Sequence, residues 1–115
     1  MSNLTDRLRS SGADVDAALE RVVGDEELYK TCLHLFMDDP DFPALEAALK
    51  CRDYSTAFKA AHTLKGVAGN LGLTDIYSAA HSLVELLRSD VPEGADLSGP
   101  YQELLSARSA VEALL

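Results

Sequence analysis

The chain has 115 residues, 47% apolar and 25% charged, which suits a single globular domain (residues 1–115) able to bury its own core. Its formal charge of −9 argues against a nucleic-acid partner, because phosphate backbones demand a cationic face, and against anionic membranes for the same reason. No run approaches the ~20 apolar residues needed to span a bilayer.

Met1-Ser2-Asn3-Leu4-Thr5-Asp6 lacks the basic-then-apolar order of a secretory signal, so a cytoplasmic location is expected. Two cysteines, Cys32 and Cys51, are too far apart for a metal-ligand spacing and are expected to act as small buried hydrophobes. The starting Met and complete helical ends favour a free-standing protein.

Runs of alternating β-branched residues are missing, and the apolar period is that of helices. Helices are predicted near 3–10, 14–22, 25–38, 40–51, 54–70, 74–89 and 99–114. Asp25 and Asp53 are suited to cap the third and fifth, accepting from free backbone N–H groups. Asp39-Pro40 suits a cap and a first helical position. Gly72 can end the fifth helix, Thr74 can start the sixth, and Gly99-Pro100 opens the last.

Four apolar stripes follow. Leu28, Cys32, Leu35 and Phe36 form the first; Ala57, Ala61, Leu64, Ala68 and Leu71 the second. Ile76, Ala80, Leu83 and Leu87 form the third; Leu104, Ala107, Val111 and Leu114 the fourth. Such stripes joined by short loops predict an all-α fold, an antiparallel four-helix bundle with additional short N-terminal helices.

The stretch that carries chemistry is Ala61-His62-Thr63-Leu64-Lys65-Gly66-Val67-Ala68-Gly69-Asn70-Leu71-Gly72. At about 100° per residue, His62 falls one step off the core stripe, on a solvent flank shared with Phe58, Lys59, Lys65, Gly66 and Gly69. A glycine inside a helix costs about 1 kcal/mol relative to alanine. Two here, on the face of a histidine, leave the imidazole standing clear for another protein to approach. Lys59 and Lys65 bring positive charge beside it in an acidic chain. That combination suits an imidazole that accepts or presents a phosphoryl group, which needs a neutral ring nitrogen. Taken alone, a surface histidine in a helix is usually just solvated, and such glycines can simply let helices pack closely.

Ala61-His62-Thr63-Leu64-Lys65-Gly66, with Leu71-Gly72 following, resembles the signature of the histidine phosphotransfer domains of two-component phosphorelays. The similarity extends over about residues 25–90, from Phe36 ending one helix through the Leu45/Leu49 helix to the histidine helix and its successor. The resemblance implies a phosphocarrier that is not itself a kinase, with His62 as phosphoacceptor, Lys65 contacting the phosphoryl group or the partner, and Gly66 giving clearance. It implies receiver domains and a sensor or hybrid histidine kinase as partners, and no cofactor of its own, Mg²⁺ coming from the receiver. A monomer is expected.

One position departs from the family pattern. Many members carry Gln or Glu 22 positions after the histidine, where it orients the imidazole; Val84 stands there in this chain. It is expected at the edge of the core stripe, where a Gln would be tolerated. His81, on the same helix, is a lesser candidate for assisting His62, and His34 is expected to be a partly buried helix histidine. No P-loop, Gly-x-Gly-x-x-Gly or metal-ligand motif is present in the sequence. The alternatives are a helical adaptor that docks receiver domains without carrying phosphate, and an enzyme using His62 as acid or base.

Overall fold

The structure, a computed structural model, describes residues 3–115; Met1 and Ser2, which open the segment read for a secretory signal, lie outside the described residues. Among the described residues seven helices and no strand occur: α1 (Leu4–Ser10), α2 (Val15–Arg21), α3 (Glu26–Met37), α4 (Asp41–Lys50), α5 (Tyr54–Asn70), α6 (Thr74–Leu87) and α7 (Ser98–Glu112). Every boundary falls within two residues of its expected position.

The caps explain that agreement. Asp25 accepts from the Leu28 amide at 3.0 Å. Asp53 accepts from the Thr56 hydroxyl at 2.6 Å and the Thr56 amide at 3.2 Å, and these bonds hold its carboxyl below the usual range. Pro40, not Asp39, is the cap of α4: its carbonyl already accepts from Ala44 at 3.0 Å, while the Asp39 carboxylate takes the Asp41 amide at 2.8 Å.

Consecutive pairs α4–α5, α5–α6 and α6–α7 pack side by side. The short α5–α6 connection makes those two helices antiparallel. α3 begins beside the α5–α6 turn, where the Tyr29 hydroxyl donates to Leu71 O at 2.8 Å, and α4 ends at the start of α5. The two therefore run in series along the bundle, broken at Asp38–Pro40. The expected stripes of α5 and α6 are buried throughout, and Leu104 and Val111 of α7 are buried with them. Ala107 and Leu114 are half-buried at its margin.

The stripe of α3 is a correction. Tyr29, Leu33, Phe36 and Met37 are buried, whereas Leu28 and Leu35 are 46% and 68% exposed. The helix is apolar on two adjacent faces, and the larger ring decides between them. Tyr29 is fully buried and pairs its hydroxyl, and burial pushes its phenol up to about 12. The same rotation leaves His34 exposed rather than partly buried, and Cys32 half-buried. Cys51, expected inside, is exposed beyond the last turn of α4.

The N-terminal helices latch onto the α5–α6 turn. The Asp14 amide donates to Gly72 O at 2.8 Å, and the Thr74 hydroxyl donates to Gly12 O at 2.9 Å. Arg21 donates to Gly69 O and Asn70 O at 3.2 and 2.9 Å, placing a cation on the negative end of the α5 dipole. The helix that carries the candidate site is thus held at its C-terminal end.

Candidate functional site

α5 presents one face to its neighbours through small residues, Ala57, Ala60, Ala61 and Ala68, with Leu64 between them. His62 lies just off that stripe and is exposed, as its register predicts. None of the described side chains hydrogen-bonds its ring. Among the described residues its ring neighbour is Phe58, a turn earlier, stacked at 5.9 Å between centroids with 29° between the planes.

On the N-terminal side of His62 a cleft of about 260 Å³ is lined by Phe58, Lys59, His62, Thr63 and Arg88. Arg88 arrives from the far end of α6, because the antiparallel pairing sets the last turn of α6 against the first half of α5. Its guanidinium is held by Glu85 at 3.1 Å. Sequence reasoning missed Arg88: nothing local marks it, and only the helix pairing brings it to His62.

On the C-terminal side Lys65 is half-buried, its ammonium 5.6 Å from the centre of the Tyr77 ring. Lys59 and Arg88 therefore share the cleft beside the imidazole, and Lys65 lies one turn beyond it, in a chain of net charge −9.

The two glycines separate in role. A Cβ at Gly66 would meet no atom within 4 Å, so its bareness opens space over the surface. A Cβ at Gly69 would come within 3.2 Å of the Tyr77 ring, so this glycine admits α6 rather than a partner. His81 is exposed and its ring lies parallel to that of Tyr77, 4° apart at 6.3 Å, with no bond to His62.

Val84 is the second correction. It is 0% exposed, inside the core and not at its edge. α6 is apolar at both Leu83 and Val84, and α5 and α7 flank it on two sides, so both positions are covered. Val84→Gln is consequently expected to destabilise the bundle by about 1–3 kcal/mol, the cost of a buried amide without partners, rather than to improve the site. A thermal midpoint within a degree or two of the parent would contradict this.

An exposed imidazole with open space over the glycine one turn on is accessible to another macromolecule. A family model for the Hpt domain matches residues 37–114, from the end of α3 through α7. This chain belongs to the Hpt domain family. Hpt domains are phosphocarriers in histidine phosphotransfer, and they interact with receiver domains and histidine kinases. Comparisons with curated proteins and with solved structures returned no match. The matched segment of this Hpt domain contains α4 to α7 and with them His62, Lys65, Gly66 and Arg88. Among the described residues no helix is long and apolar enough to cross a membrane.

Proposed function

We propose that this Hpt domain carries a phosphoryl group on His62, accepting it from an aspartyl phosphate of one receiver domain and donating it to the aspartate of another. The observation that carries this reading is the exposed His62 of α5, inside the family match and beside the open surface at Gly66. An imidazole nitrogen attacks phosphorus, the aspartyl P–O bond breaks with the carboxylate leaving, and the other ring nitrogen releases its proton so that the phosphorylated ring returns to its uncharged form. The high energy of the P–N bond keeps the transfer reversible.

Lys65 and Arg88 flank the ring and stabilise the phosphoryl group or the acidic pocket of the receiver. The receiver supplies Mg²⁺, and the chain needs no cofactor of its own. A sensor or hybrid histidine kinase feeds the relay, and the chain works as a cytoplasmic monomer of one domain, binding neither nucleic acid nor membrane. The net charge of −9 supports those exclusions.

Mixing the protein with a phosphorylated receiver tests this. Phosphate that is acid-labile, alkali-stable and mapped to His62 is the expected result. Receiver binding without transfer would replace the carrier by an adaptor. Gly66→Gln is expected to leave helicity intact and slow transfer at least tenfold, about 1.4 kcal/mol in the barrier, by filling the space a receiver must enter. Rates within about twofold of the parent would remove Gly66 from the docking surface.

A further inference from the structure

We propose that Phe58 is the positioning residue of the phosphoacceptor: stacking on its ring does for His62 what a hydrogen bond from the next helix does in many relatives. The inference rests on His62 being the phosphoacceptor.

Three observations meet here. Val84, 22 positions after the histidine, is aliphatic and fully buried, so it offers the exposed His62 no orienting bond. No described side chain bonds either nitrogen of the His62 ring. Phe58, one helical turn before His62, is half-buried and holds its ring 5.9 Å from the imidazole with 29° between planes.

A fixed phenyl ring restrains a neighbouring one through offset stacking, an attraction that operates at centroid distances of roughly 4.5–7 Å. Phe58 is itself restrained, since its half-buried ring packs against the hydrophobic core. Covering one face of the imidazole fixes its plane and leaves the nitrogen-bearing edge to solvent. The restraint differs from a hydrogen bond in one respect. It selects an orientation of the ring but no tautomer, so either nitrogen can carry the proton until a receiver arrives.

The test is Phe58→Leu beside Phe58→Tyr, in the full chain with one phosphorylated receiver. Proton NMR follows the carbon-bound ring protons of all three histidines. In the parent those of His62 are displaced by the Phe58 ring current. Phe58→Leu is expected to remove the displacement, leave the His34 and His81 signals in place, and slow transfer about three- to tenfold. Phe58→Tyr is expected to retain both the displacement and the rate. Nitrogen-15 shifts of the His62 ring are expected to report a mixture of tautomers in the parent.

Parent-like transfer by Phe58→Leu, with phosphate mapped to His62, would overturn the positioning role while leaving the carrier function intact. Slow transfer in both variants with the ring-current shift retained in Phe58→Tyr would overturn it too, because the surface and not the stack would then matter. A single pure tautomer would do the same, since it requires a bonded nitrogen. Phosphate found elsewhere than His62 would instead remove the reading on which the inference rests.

Discussion

His62→Gln is expected to abolish phosphorylation by a phosphorylated receiver while leaving the helical bundle intact. Glutamine has a similar length and can be solvated like the imidazole, but its amide nitrogen has no lone pair available to attack phosphorus. The position is exposed and makes no hydrogen bond to another described side chain, so the cost to stability should be that of an ordinary surface change plus the lost stack on Phe58, about 1 kcal/mol or less. Unchanged far-UV circular dichroism would establish the fold. All three histidines, His34, His62 and His81, are exposed, so accessibility does not choose among them. Labelled phosphate retained by the variant and mapped to His34 or His81 would therefore displace His62 from its role.

Gly72→Ala is expected to produce the largest loss of stability, about 3 kcal/mol, or roughly 10 °C in the thermal midpoint for a domain of this size. Two costs combine. Gly72 has φ +71, where a Cβ is strained. That Cβ would also lie 2.2 Å from Asp14 O, a backbone atom that cannot rotate away. Relief requires moving the N-terminal helices, which breaks the bond from the Asp14 amide to Gly72 O. Gly94 provides the control: its φ is +82, but a Cβ there meets nothing within 4 Å. Gly94→Ala should therefore cost only the backbone strain, about 1 kcal/mol. Equal losses at the two positions would mean that the contact with Asp14 carries no weight.

The helices were legible because their ends are written in local chemistry. Asp25, Asp53 and Gly72 each act on backbone groups within three or four residues, so no tertiary information is needed to read them. The α5 stripe was legible because, Phe58 and Val67 apart, polar or small residues separate its members and favour one way to face the core. The α3 stripe was not. Leu28, Tyr29, Cys32, Leu33, Leu35 and Phe36 offer two apolar faces, and the choice fell to whichever could also satisfy a buried hydroxyl, at Leu71.

The site divides in the same way. His62 and Gly66 belong to one helix, and their shared exposed face follows from spacing along it. Gly69 does not: it lies on that face by register, yet the ring it accommodates comes from α6. Val84 sits on α6 and Arg88 caps its end, and what they do is set by how α6 lies against α5. Arg88 reaches the cleft beside His62, and Val84 turns fully inward.

By itself, then, the sequence determined seven helices and their ends, the core face of α5 and the exposure of His62, since each depends on interactions within a turn or two of one helix. Only the tertiary structure decided that Arg88 shares the cleft beside the imidazole, that Gly66 is open while Gly69 meets α6, and that Val84 is core. Those outcomes depend on the angle and offset between helices, which are set by the summed packing of many side chains and not by any one of them.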